Sequence, residues 1–217
     1  MKIASLNVGL PREVRWHGSV VTTGIFKEPV ERRVALRILN LEGDGQADLT
    51  VHGGGYKAVY SYAVEHYAYW KKELGRELPM GMFGENFTTE GLRESEVNLG
   101  DRFRVGSAEV VVTQPRLPCY KLGIRFGADD MVKRFLASGR TGFYLAVERE
   151  GEVGAGDEIA VIERDRCAVP VPAIVRLYVT KQYGAEELAL AERVMEVDAL
   201  PESWKSYFRE RLLKNRV

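Results

Sequence analysis

The sequence predicts a β-rich α+β fold in which many short strands precede a small helical unit. Two observations carry this. Up to about residue 165, β-branched and alternating apolar runs recur between glycine-rich turns, the pattern of a sandwich or barrel. After Arg166 the composition changes. A stiff Val169-Pro170-Val171-Pro172 stretch leads into three segments with helical apolar spacing. The expected organisation is a β-rich domain over residues 1–167 and a three-helix domain over 168–217.

Ile3–Val8 is the first predicted strand. Arg33–Leu39 follows, with Val34, Leu36 and Ile38 alternating against polar or small neighbours. Glu109–Thr113 is continuous and β-branched. Phe143, Leu145 and Val147 alternate with Tyr144, Ala146 and Glu148, the period of a half-buried strand. Glu150-Gly151-Glu152 reads as a tight hairpin turn, with Asp157–Ile162 as the return strand. Two helices interrupt this pattern. Val64–Leu74 carries Tyr67, Trp70 and Leu74, and Asp129–Leu136 carries an apolar stripe with Asp129 as N-cap. The C-terminal helices are predicted over Ala173–Thr180, Ala185–Met195 and Glu202–Leu213. Pro201 stands before the last, where its fixed φ suits a helix start. A three-helix piece this short has a thin core of its own, so it is expected to pack on the β domain or on a second subunit of a homodimer.

Composition excludes several functions. The 217 residues carry 31 basic and 31 acidic side chains, and this zero balance argues against a general nucleic-acid surface. No apolar run is long enough to span a bilayer, and the N-terminus lacks a signal-peptide core, so a cytoplasmic protein is expected. Two cysteines and three histidines provide neither a disulfide framework nor a zinc motif. Neither a P-loop nor a dinucleotide fingerprint is present.

Three segments hold candidate chemistry. His52-Gly53-Gly54-Gly55 resembles an esterase oxyanion loop, but none of the eight serines lies in a nucleophile elbow. With Lys57 it reads as a simple tight turn or as an anion cradle. Gly84–Gly91 crowds polar residues between two glycines, including Asn86 and Thr88. It reads as a surface loop or as a site for a polar heterocycle. The third segment, Thr113–Leu122, sets Cys119 at the start of a predicted helix over Tyr120–Phe126. Between Val110 and Ala128 the only charges are Arg116, Lys121 and Arg125, all positive. A cysteine at a helix start among cations is a candidate thiolate: nucleophile, sulfur carrier or soft-metal ligand, against the alternative of buried filler. Cys167 follows Asp165 and Arg166 and reads as structural. The aromatic residues of Tyr56–Trp70 read as core rather than as a stacking platform, because Tyr67, Trp70 and Leu74 keep helical spacing.

These segments, in order, resemble the MOSC domain family, the C-terminal domain of molybdenum cofactor sulfurases. The resemblance is carried by Asp48-Leu49-Thr50-Val51-His52-Gly53-Gly54, Lys57-Ala58-Val59-Tyr60, Gly84-Glu85-Asn86-Phe87, Gly100–Gly106 and Gln114-Pro115-Arg116-Leu117-Pro118-Cys119-Tyr120-Lys121-Leu122. It continues through Gly142-Phe143-Tyr144 and Gly151–Asp157. The tail, with Ala199–Trp204, is similar to the three-helix domain of the bacterial YiiM-like branch. Gly55-Tyr56 departs from the family pattern, where Pro and a polar residue are expected.

The resemblance implies a MOSC-type β-barrel with peripheral helices that binds the molybdenum cofactor (molybdopterin), a pterin dithiolene with a terminal phosphate. Cys119 corresponds to the family cysteine that ligates molybdenum or carries sulfur. Arg116, Lys121, His52, Gly53, Gly54, Lys57, Asn86 and Thr88 are the implied cofactor-binding residues. Pyridoxal phosphate, which belongs to a separate desulfurase domain in eukaryotic sulfurases, is not expected here. Two functions follow. One is a reductase of small N-hydroxylated compounds such as purines, with Cys119 and His52 catalytic, His52 giving a proton to the departing hydroxide. The other is a non-catalytic cofactor or sulfur carrier with Cys119 as persulfide or tether. Two cysteines cannot hold an iron–sulfur cluster by its usual four thiolates, so the reductase needs a separate electron-donating partner.

Overall fold

The computed structural model describes residues 1–47 and 53–215. The β-branched and alternating runs become strands: β1 (Lys2–Val8), β2 (Arg12–Trp16), β3 (Ser19–Thr23), β4 (Glu28–Pro29), β5 (Val34–Leu36), β6 (Val59–Ala63), β7 (Phe87–Glu90), β8 (Arg102–Val105), β9 (Ala108–Pro115), β10 (Phe143–Arg149), β11 (Gly151–Val153) and β12 (Ile159–Glu163). The helices are α1 (Glu65–Leu74), α2 (Tyr120–Phe126), α3 (Met131–Ser138), α4 (Val171–Val179), α5 (Ala185–Met195) and α6 (Glu202–Asn215).

Eight strands form one mixed sheet in the order β12-β8-β9-β10-β6-β7-β1-β4. Its pairs are antiparallel except β6 with β7, which run parallel. Parallel neighbours need a crossover, and α1 with the loop after it supplies that connection. The expected closed barrel is not present as a continuous ladder among the described residues, since β12 and β4 remain edges. The sheet nevertheless curls back on itself. A single bridge joins Lys2 to Glu158, and Ile159 N donates to Met1 O at 2.8 Å.

Two local expectations are corrected. The hairpin at Glu150–Glu152 does not form. Both edges of β10 are already taken by β9 and β6, so Gly151–Val153 becomes β11 and pairs with β5, while β12 pairs with β8. Asp129 does not cap α3, which begins at Met131 after Asp130. Asp129 instead bonds His17 Nε2 at 2.8 Å, at the tip of the β2–β3 hairpin.

Burial explains the arrangement. Along β10, Phe143, Leu145 and Val147 point inward as the alternation predicts. One continuous apolar cluster joins Ile3, Leu6 and Phe103 of the sheet to Val171, Ile174, Ala191 and Phe208 of the C-terminal helices. A thin helical unit therefore borrows the sheet's core. A second cluster of Tyr62, Tyr67, Trp70, Phe83 and Phe135 packs α1, α2 and α3 together. Burying each such aromatic stabilises by roughly 1.5–3 kcal/mol.

Candidate functional site

Cys119 stands where β9 gives way to α2. Pro115 pairs with Phe143 at the end of β9, and Arg116 N still donates to Gly142 O at 3.3 Å. Pro118 then holds the backbone extended into Cys119, which precedes the first residue of α2 with φ −120°. Leu122 N donates to Cys119 O at 2.9 Å, closing the first turn. Cys119 and Cys167 are both free thiols, the first half-buried and the second buried.

Beside Cys119 lies a cleft with about 660 Å3 of empty space, counted out to its open mouth. Cys119, Arg116, Lys121, Lys57 and Asn86 all line it. The structure thus gathers five of the sequence-predicted residues from three separate segments. His52, the sixth by chemistry, lies outside the described residues. Thr88, Gly53 and Gly54 are not among the residues that line the cleft. Thr88 is fully buried; its hydroxyl donates to Glu85 and accepts from Asn7 Nδ2 at 3.0 Å. Gly54 sits at φ 91°, ψ 163°, a conformation open almost only to glycine, and turns the chain into the short helical turn Gly55–Lys57. Its role in the described structure is to deliver Lys57 to the cleft wall. The Gly84–Gly91 segment is no surface loop: Phe87, Thr88 and Thr89 are buried in the sheet.

Arg116 sets the electrostatics. It is only 6% exposed, yet among the described residues no carboxylate forms an ion pair with it. Its guanidinium lies 4.7 Å from the Tyr60 ring centre and 5.2 Å from that of Phe135, and Nη1 donates to Tyr60 Oη at 3.4 Å. Burial alone would lower its pKa, but Tyr60, Tyr144 and Cys119 outweigh this and the net direction is upward. The guanidinium therefore stays charged. Lys57, half-buried, has its pKa lowered by desolvation.

Several cleft residues were invisible to sequence reasoning. Lys27 and Asp44 form a buried ion pair in the wall. Asp44 also accepts from Gly9 N (2.9 Å) and Asn86 Nδ2 (3.0 Å). Asn86 Oδ1 accepts from Tyr60 N at 3.0 Å, so this amide knits the wall together. Tyr60 and Tyr144 face the cleft from neighbouring strands. Both stand in motifs that carry the family resemblance, Lys57-Ala58-Val59-Tyr60 and Gly142-Phe143-Tyr144, but nothing local marked them as cleft residues.

The cleft thus brings together a half-buried thiol, a buried cation with no carboxylate partner among the described residues, and Lys57 and Lys121, the kinds of group that a small anion with a soft metal centre needs. Comparison with known proteins agrees with that class. The MOSC domain family matches residues 48–160, and the chain belongs to that family, in its YiiM-like form. It is 42% identical to the uncharacterized protein YflK of Bacillus subtilis, over 97% of this chain and 96% of that protein. Its fold matches the crystal structure of YiiM from Geobacillus stearothermophilus with a TM-score of 0.81 and 34% identity, covering 97% of this chain and 98% of the other. A protein of Gibberella moniliformis named "Reductase" is 32% identical over 68% of this chain, which spans only 27% of that longer protein.

Proposed function

We propose that the protein is a molybdenum-cofactor-dependent reductase of N-hydroxylated compounds, such as N-hydroxylated purines, with Cys119 as the molybdenum ligand. One observation carries the reading: the half-buried Cys119 thiol shares a cleft with the buried Arg116 cation, which no carboxylate among the described residues neutralises. A buried charge left without a counter-ion is costly, and an anionic pterin phosphate relieves that cost. The family match and the relative named "Reductase" support the same direction.

The donor set fits this cofactor. Cys119 offers the soft ligand, Arg116, Lys57 and Lys121 offer positive charge, and Asn86 with Asp44 and Lys27 keeps the wall in place. When bound, the cofactor supplies the two-electron chemistry. The reaction balances as R–NH–OH + 2 e⁻ + 2 H⁺ → R–NH2 + H2O, so the N–O bond breaks and the oxygen leaves as water. The residues of this chain orient the cofactor, neutralise its charge and hold substrate against it. His52 keeps its sequence-based role as proton donor to the departing oxygen. The electrons come from a separate reductase partner.

The test is to express the protein with an intact cofactor pathway, measure molybdenum by elemental analysis and assay an N-hydroxylated purine with an artificial electron donor. Bound metal and turnover, both lost in Cys119→Ser, support the proposal. Metal without turnover assigns the protein as a carrier of cofactor or sulfur. No metal, or wild-type metal content in Cys119→Ser, overturns the ligand role.

A further inference from the structure

Cys119 borders a second cavity, on the side of the C-terminal helices, with about 940 Å3 of empty space counted out to its mouth. Lys57, Leu117, Cys119 and Tyr144 line both cavities and form the wall between them. The far side of the second cavity belongs to the helices, through Tyr178 of α4 and Ser203, Trp204 and Tyr207 of α6.

The two cavities differ in charge. Lys57, Arg116 and Lys121 line the first together with the Lys27–Asp44 ion pair, whereas among the described residues Lys57 is the only charged one lining the second. The first suits an anion and the second a neutral molecule. The second is also aromatic, with its rings fixed in place. Trp204 Nε1 donates to Gln114 Oε1 at 2.9 Å, and its indole stacks on Phe208 with centres 5.6 Å apart at 18°. Tyr178 packs against Trp204 at 5.7 Å and against Tyr207 at 5.6 Å. Tyr178 nevertheless remains 43% exposed, a large aromatic surface left open beside the cavity. Rigid aromatic faces with polar atoms at their rim bind flat heterocycles by stacking.

We infer that the cavity between the sheet and the C-terminal helices holds the substrate's flat heteroaromatic ring, with Tyr178, Trp204 and Tyr207 as the specificity-determining wall that turns the ring's N-hydroxyl group toward Cys119. The inference rests on the reading of Cys119 as the reaction centre. It gives the helical unit a function: it completes the pocket that the sheet leaves open.

The test uses the full-length, cofactor-loaded protein and two variants, Tyr178→Ala and Tyr207→Leu. These leave the buried Trp204 and Phe208 in place. Two substrates are compared: an N-hydroxylated purine and hydroxylamine, which has no ring. Loss of a stacking face is expected to reduce kcat/KM for the purine about tenfold more than for hydroxylamine, chiefly through KM, with molybdenum content at the wild-type level. Equal losses on both substrates, or no loss on the purine, overturn the inference. Equilibrium binding of adenine, followed by tryptophan fluorescence, separates this idea from the enzymatic reading. If the wild type binds adenine and the variants bind it about tenfold more weakly, the ring pocket stands even where turnover is absent and the reductase assignment has failed. Adenine binding that is undetectable in the wild type, or equal in wild type and variants, overturns the pocket whatever the turnover.

Discussion

Trp204 on α6 donates its indole N–H to Gln114 of β9 across 90 positions of sequence, at 2.9 Å. This bond ties the last helix to the strand that leads to Cys119. Gln114 is 5% exposed, so water cannot readily replace the donor. Trp204→Phe keeps the ring and removes the N–H. It is expected to destabilise by about 1–3 kcal/mol, read from the midpoint of urea unfolding. The core shared by sheet and helices also predicts one cooperative transition, with calorimetric and van't Hoff enthalpies in agreement. Two resolved transitions would contradict it.

The two thiols differ in accessibility. Cys119 is half-buried at the cleft, whereas Cys167 is 7% exposed and belongs to the apolar core. Burial, then Asp165, pushes the Cys167 thiol up from its ordinary range and makes it less reactive. A thiol-reactive dye added to the native cofactor-free protein should label about one site per chain, and Cys119→Ser should abolish that label. Rapid labelling of Cys167 in the folded protein would refute the assignment.

In the proposed function Arg116 is a binding charge held at a cost to stability. Removing a buried ion that has no carboxylate partner among the described residues relieves desolvation, so cofactor-free Arg116→Met should melt at or above the wild-type temperature. Cofactor retention should fall about tenfold or more, because a charge-assisted contact is lost. A lowered melting temperature with full retention would mean that Arg116 serves the core rather than the cleft.

Glu94 makes a pH-dependent contribution on the far side of Gly142. His66 Nε2 lies 2.7 Å from Glu94 Oε2, and Gly142 N donates to Glu94 Oε1 at 3.2 Å. Burial by itself would raise the Glu94 pKa, but His66 and the backbone N–H groups outweigh it and the net direction is below 4.5. A carboxylate held down by folding stabilises above its unfolded pKa, and that contribution is lost as pH falls through the folded value. Glu94→Gln should therefore cost about 3 kcal/mol near neutral pH. Its gap to wild type should narrow as pH drops below 4.5. A gap independent of pH in urea titrations would rule this out.

Periodicity located most of the elements. Ala185–Met195 and Tyr120–Phe126 occur as predicted, and the alternation along Phe143–Val147 names the inward face of β10 correctly. Arg116 and Lys121, sequence neighbours of Cys119 at the end of a strand, reach the same cleft in space, whereas Arg125, the third cation of that stretch, lies over the Phe26 ring instead. Strand partners were not legible. The return of Asp157–Ile162 onto β10 is the simplest local hairpin, but distant strands had already occupied both of its edges. The shape of the site was equally hidden.

Local patterns along the chain specify a β-rich unit with a helical tail and a basic stretch around one cysteine, features that depend on residues close together in sequence. Three-dimensional packing is what buries Arg116 without a carboxylate partner among the described residues and pairs Lys27 with Asp44 in the wall. The same packing sets α4 and α6 against the cysteine and forms a second cavity. Burial and long-range pairing arise when segments far apart in sequence exclude water together, and no local pattern encodes which segments those are.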